Sequence, residues 1–313
     1  MIPIVFAPTG TGKSDLIISI AESLPIEIIS MDSMQIYRKM NIGTAKPSPS
    51  EMKAAVHHMI DIVNPDEEYD VYRYLKESSE IENDIILRGK IPVYVGGTGL
   101  YMETLIYGIF DGIGKDDSIR DGLLKKEENE PGFLLKKLSE VDPLSYERLH
   151  PNDTKRIVRA LEVYELSGNT IGEIGKHREK NEKYSIVFLE RNREELYKRI
   201  NSRVDSMLEK GLVEETRELL NMGYDEGLQS MKAIGYRETI SFLKNRFENF
   251  EKYSDTLKKN TRHYAKRQII WGRRYKENEL NINRINLSEL SKEEQFMRLK
   301  DTVSYTHLRA HET

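Results

Sequence analysis

The stretch "IVFAPTGTGKSD", residues 4–15, decides the fold. Five mostly apolar residues, Ile4 to Pro8, run into a glycine-rich turn and then Lys13-Ser14. This follows the phosphate-binding pattern G-x-x-x-x-G-K-[ST], with Ala7 standing where the first glycine would be. A strand, a glycine turn and a helix opening at Lys13 would aim the backbone N–H groups of Gly10 to Ser14 into one concavity. The positive end of the helix dipole would add to them. Lys13 supplies a point charge, and the Ser14 hydroxyl is a hard oxygen suited to Mg2+. The cradle is therefore read over Thr9, Gly10, Thr11, Gly12, Lys13 and Ser14, as a nucleotide- or diphosphate-binding loop.

Outward from this loop, short Ile/Val-rich runs predict parallel strands at Pro3–Phe6, Ile26–Ser30, Ile91–Val95 and Ser185–Leu189. Helical patterns at Lys13–Ser23, Pro49–His58, Val71–Gly89 and Glu194–Leu208 separate them. The alternation predicts an α/β fold, a P-loop NTPase-like doubly wound parallel sheet. Residues 1–110 and 184–280 form its core and C-terminal helices. Between Asp111 and Lys183 strand signals vanish, so 111–183 reads as a helical insertion domain. Residues 281–313 read as a peripheral segment, and "SYTHLRAHET" at the end as disordered or extraneous.

Bulk properties narrow the function. The 313 residues are 38% hydrophobic and 32% charged, with no cysteine, which excludes disulfides and thiolate metal sites. No apolar run reaches the roughly 20 residues that span a bilayer, and the loop begins too near Met1 for a secretory leader. A cytoplasmic monomer is expected. The net charge is −4, yet "KKNTRHYAKRQIIWGRRYK", residues 258–276, holds eight Lys/Arg and no acid. A local basic face of this kind suits phosphates.

The catalytic logic comes from what is missing. A P-loop NTPase needs an acid at the end of a later strand for Mg2+. Here "IPVYVGGTG", residues 91–99, ends in Gly-Gly-Thr and offers only the Thr98 hydroxyl. The acid stands instead at Asp32, after the strand in "IEIISMDSMQIY". Strand carboxyl ends form the ligand crevice of such sheets, so Ser14, Asp32 and Thr98 should converge there. Asp32 is read as metal ligand or general base, or else as a helix N-cap. Arg199 and Arg203, four apart on one helix, share a face that could cover phosphates. His57 and His58 are read as structural, since neighbours on a helix point apart.

Several motifs together resemble the tRNA dimethylallyltransferases, or tRNA isopentenyltransferases, in order from Ile4 to about Arg274. They are "APTGTGKS", "DSMQIYRKMNIGTAKP", "HHMIDI", "VGGTGLY", "HPNDTKRIVRALEVYELSG", "GLVEE", "MKAIGYRE" and "TRHYAKRQIIWGRR". The resemblance implies that the cradle holds the diphosphate of dimethylallyl diphosphate, which leaves as the prenyl group moves to N6 of the adenosine 3′ of a tRNA anticodon. It implies Asp32 as the base and Thr98 as a donor to the bridging oxygen. Lys13, Ser14, Mg2+ and Arg199 or Arg203 would then stabilise the departing charge. Asp32, Ser33, Met34, Gln35 and Thr98 would meet the extruded adenine, Gln35 having the amide suited to its edge. The tRNA anticodon stem-loop would further contact Arg120, the segment Lys155, Arg156, Ile157, Val158 and Arg159, and Lys232, Tyr236 and Arg237. Trp271 reads as core. Two other classes stay open: a free-adenylate isopentenyltransferase, and a P-loop nucleotide kinase or nucleotide-dependent RNA-binding module.

Overall fold

A computed structural model describes residues 1–109, 114–176, 180–275 and 282–308. The chain divides into two compact units, one of residues 1–106 with 182–313 and the other of residues 107–181.

The larger unit is built on six parallel strands: β1 (Ile2–Phe6), β2 (Ile26–Met31), β3 (His57–His58), β4 (Ile91–Gly96), β5 (Tyr184–Glu190) and β6 (Ile282–Asn286). Their order is β3-β2-β4-β1-β5-β6. The four inner strands β2, β4, β1 and β5 are mostly hydrophobic because both faces are covered. Val5, Ile28, Val93 and Val187 join one core cluster, while their neighbours Ile4, Ile29, Tyr94 and Phe188 are buried outside it. This period-2 split defines the two faces.

On the first face, α1 (Lys13–Ala21) buries Ile17, Ile18 and Ile20. After it come α2 (Pro49–Ala54), opened by a Ser48–Glu51 capping box, and α3 (Val71–Leu87), capped by Asp70. The Tyr74 hydroxyl of α3 donates to the Ser30 carbonyl, which fixes α3 on the second face. Helix α4 (Gly99–Tyr107) leads out of β4.

The smaller unit is helical: α5 (Asp117–Asn129), α6 (Phe133–Val141), α7 (Pro143–Arg148), α8 (Thr154–Ser167) and α9 (Ile171–Lys176). Leu123, Leu134, Leu138, Ile157 and Leu161 form its own core.

Back in the larger unit, α10 (Arg193–Glu209), α11 (Leu212–Asn221), α12 (Tyr236–Leu243) and α13 (Phe250–Gly272) follow β5. They pack with Ile36, Tyr37, Met40 and Val63 into a further cluster, so the loops after β2 are clamped against the C-terminal helices. The basic stretch from Lys258 lies on α13.

Two expectations are corrected. Residues 49–58 are not one helix: α2 ends at Ala54, and His57–His58 pairs with Ile28–Ile29 as the edge strand β3. Nor does the segment from residue 281 lie outside the core. β6 pairs along β5, and α14 (Lys292–Leu308) buries Leu299 and Val303 against the α1 face. Residues 304–308 continue α14, and 309–313 lie outside the described residues.

Candidate active site

The glycine turn between β1 and α1 takes the shape its sequence demands. Gly10 and Gly12 have φ of +82° and +92°, conformations that favour glycine. A Cβ on Gly12 would lie 2.9 Å from the Arg199 guanidinium. Gly12 is the N-cap of α1 and supplies no side chain, so the first-turn N–H groups at Lys13 and Ser14 lack a side-chain cap. Two members of the cradle are turned inward. Thr11 is fully buried, with its N–H and hydroxyl both given to the Pro8 carbonyl. Thr9 donates its N–H to Gln268 Oε1 at 2.8 Å. Thr11 thus drops out of the expected run of N–H donors from Gly10 to Ser14.

Two arginines support the turn from behind. Arg199 Nε donates to the Gly10 carbonyl at 2.8 Å and Arg191 Nε to the Thr11 carbonyl at 2.7 Å. Arg191 also pairs with Glu195. Arg203, one turn beyond Arg199 on α10, remains with Lys13 at the mouth of the loop. Neither forms a hydrogen bond or ion pair among the described residues. Burial, with Arg203 close by, pulls the Lys13 ammonium down to about 8, against an opposing pull from Asp32. Burial lowers Arg203 as well. Two desolvated cations, neither in an ion pair among the described residues, make a site prepared for an anion.

Two cavities meet at this point. The larger, about 1000 Å³, is lined by Gly10, Gly12, Lys13, Ser14, by Asn41, Ile42 and residues 45–49, and by Lys198, Arg199 and Arg203 of α10. The smaller, about 310 Å³, holds Asp32, Ser33, Met34, Gln35, Lys232, Arg237, Tyr264 and Arg267. Lys13, Ser14, Arg203 and Met207 line both.

Asp32 follows β2 directly. Its Oδ1 accepts the N–H groups of Met34 (2.9 Å) and Gln35 (3.4 Å), as a cap would, and its Oδ2 has no hydrogen bond among the described residues. No helix starts here, so the helix N-cap reading becomes a turn cap on Oδ1, which leaves Oδ2 for the base. Thr98 Oγ1 accepts the Ser33 N–H at 3.1 Å. Burial pushes the Tyr264 phenol up, against the pull of the nearby Thr98 and Gln268 side chains. Gln268 Nε2 donates to the Gly97 carbonyl at 2.9 Å, so one amide ties the phosphate loop to the end of β4.

Several expectations need revision. Both ends of the Gln35 amide are engaged: Nε2 donates to the carbonyls of Thr44 and Ala45, and Oε1 accepts from Ser30 Oγ. Tyr236 is fully buried and donates to Glu215 at 2.6 Å, so it offers no surface to RNA. In the smaller unit Ile157 and Val158 are core residues. There Arg120 and Arg159 both clasp the buried Glu162 (2.8 and 2.6 Å), which holds that carboxyl below its usual range against the cost of burial. Lys155 and Arg156 are exposed on α8, Arg156 pairing with Asp153. His57 bonds the Ala55 carbonyl and His58 bonds Glu27, two separate partners.

Sequence reading missed Arg191, Tyr264 and Gln268. Arg191 had a signal in its place just past β5, at a strand carboxyl end. Tyr264 and Gln268 sat in "TRHYAKRQIIWGRR", read for its charge and for the resemblance, neither of which gave these two residues a role in the site.

A doubly wound parallel sheet with an anion cradle after β1 and an acid after β2, one strand removed across β4, defines a phosphate-handling α/β protein. Known proteins narrow the class. The IPP transferase profile matches residues 35–275, and an isopentenyl transferase profile matches residues 1–64. The chain belongs to the IPP transferase family. It is 52% identical to a tRNA dimethylallyltransferase of Thermotoga maritima over 276 residues, covering 88% of this chain and 90% of that one. A full-length tRNA isopentenylpyrophosphate transferase of Bacillus halodurans superposes with a TM-score of 0.74 at 34% identity, covering 99% and 98%. A eukaryotic dimethylallyltransferase captured acting on tRNA gives 0.84 at 28% identity, covering 99% and 79%.

Proposed function

We propose that this protein transfers the dimethylallyl group of dimethylallyl diphosphate to N6 of the adenosine 3′ of a tRNA anticodon, releasing diphosphate. The observation that carries the reading is the junction of two cavities at Lys13, Ser14 and Arg203, beside the unpaired Oδ2 of Asp32. A donor held by its diphosphate in the larger cavity and an adenine entering the smaller one would meet there.

The chemistry suits these groups. N6 attacks the allylic carbon, the carbon–oxygen bond breaks, and the bonding pair leaves on the diphosphate. Lys13, Arg203 and the N–H groups at the start of α1 stabilise that developing charge, and desolvation strengthens them. The amine is a weak nucleophile, and Asp32 takes its proton during attack. Thr98 Oγ1, oriented by the Ser33 N–H, can donate to the oxygen that leaves carbon. Arg199 and Arg191 act on the phosphate loop by fixing its carbonyls.

Among the described residues no three His, Cys, Asp or Glu side chains gather as a metal cage. The donors fit Mg2+ held chiefly by diphosphate oxygens, with Ser14 as the protein ligand. When bound, Mg2+ would neutralise charge on the leaving group. Among the described residues no helix is long and apolar enough to cross a membrane, and we take the protein to act as a cytoplasmic monomer.

The test is transfer of radiolabel from dimethylallyl diphosphate, with Mg2+, to unmodified tRNA or to AMP in parallel. Label on tRNA alone supports the reading. Label on AMP moves the activity to free nucleotides, and label on neither overturns it.

A further inference from the structure

The segment from Asn41 to Lys46 is a wall between the two cavities. Asn41, Ile42, Ala45 and Lys46 line the larger, Gly43 and Thr44 the smaller. It contains no helix or strand, and Ala45 holds a left-handed φ of +47° that a side-chain-bearing residue adopts only when its surroundings impose it.

The start of the wall is held by a single carboxylate reaching from α11. Glu215 accepts the N–H of Asn41 (3.0 Å), Ile42 (2.9 Å) and Gly43 (3.2 Å), three consecutive donors aimed at one anion. Successive N–H groups of this kind form an anion-binding nest. The Tyr236 hydroxyl donates to the same carboxylate at 2.6 Å. Its ring lies so close to Gly43 that a Cβ there would sit 2.5 Å away. Helix α11 is a firm base, since Leu212, Thr216 and Leu219 are buried. From the wall, the carbonyls of Thr44 and Ala45 accept the Gln35 amide, and Gln35 sits in the turn that Asp32 caps.

We propose that Glu215 is a positioning residue for the transfer. Its carboxylate fills the nest, holds the wall between donor and acceptor cavities, and through Thr44 and Ala45 sets Gln35 beside Asp32 on the acceptor side. This role rests on the function proposed above. The carboxylate also fills a nest that borders the donor cavity, where a free diphosphate would otherwise find a competing seat.

Full-length E215Q, E215A and Y236F test the role. E215Q keeps the size but presents an amide N–H to the nest. It should raise KM for tRNA about 10-fold, change kcat less, and leave the affinity for inorganic diphosphate within about twofold. Y236F keeps the carboxylate and the packing and should raise KM for tRNA about two- to threefold. E215A empties the nest, so formate should raise its thermal midpoint and recover its KM, while chloride at equal ionic strength should do neither. The formate-dependent midpoint needs no activity and reads the nest by itself. Wild-type protein that labels no tRNA overturns the functional reading and the positioning role with it. Active wild type with E215Q unchanged in KM, or with tRNA and diphosphate affinities falling together, overturns this inference alone. If neither Glu215 variant folds, an unchanged KM in Y236F overturns it.

Discussion

The phosphate loop and the smaller helical unit both hold buried or half-buried cations, and they use them in opposite ways. In the larger unit Lys13 and Arg203 stand desolvated, near Asp32 but with no ion pair among the described residues. In the smaller unit Arg120 and Arg159 surround Glu162, which is fully buried. The first arrangement costs stability and is repaid when an anion binds. The second is complete without a ligand and ties α5 to α8. A cation's partner, more than its presence, tells recognition from architecture.

The sharpest test of the contrast lies at the reacting centre. Asp32→Ala should lower the single-turnover rate by about 10³-fold, in the range of a lost general base, with tRNA affinity nearly unchanged. Rapid-quench transfer together with filter binding measures both. Collapse of affinity with the rate intact would make Asp32 a recognition residue and remove the base from the larger unit.

Next in size is the opposite kind of loss. Glu162→Ala strands two guanidinium groups and should destabilise the smaller unit by about 3–5 kcal/mol, the usual effect of removing one partner of a buried pair. Diphosphate affinity should stay the same. Urea unfolding followed by circular dichroism reads the first and calorimetry the second. A variant as stable as the parent would show that Arg120 and Arg159 do not serve the fold.

The converse holds for Lys13. Its folded pKa of about 8 lies below the unfolded value of 10.5. The unfolded state therefore binds the proton more tightly. The penalty is fully present below pH 8 and is relieved as pH rises from about 8 towards 10.5. Lys13→Met should raise stability at pH 7 by up to about 3 kcal/mol while abolishing diphosphate binding. In the parent protein, diphosphate affinity should fall as pH rises through 8, because the free site loses its proton. An affinity flat from pH 7 to 9 would take Lys13 out of the anion site.

The smallest effect is at the exposed Lys155. Lys155→Ala should weaken tRNA binding a few-fold and reduce the salt slope by about one. An unaltered slope would leave the smaller unit's surface without a part in RNA contact.

The phosphate loop, four of the six strands and Asp32 were legible in the sequence because their signals are local. A glycine turn, a run of Ile and Val, or an acid just past a strand means the same thing wherever the chain goes. β3 was not legible, since two histidines carry no apolar period and become a strand only through pairing with Ile28 and Ile29. β6 was hidden for a similar reason: "INRIN" buries Ile285 alone and gains its place from β5.

The sequence by itself thus determined the class of sheet, the anion cradle and the acid beside it. Only the tertiary structure decided which charges remain available. Arg191 meets Thr11 across 180 positions, Glu215 meets Ile42 across 173 and Gln268 meets Thr9 across 259. A side chain's chemistry is written at its own position, but its partner is fixed by packing between segments far apart in the chain. Desolvation and pairing, which set whether a cation serves a ligand or a neighbour, exist only after that packing is complete.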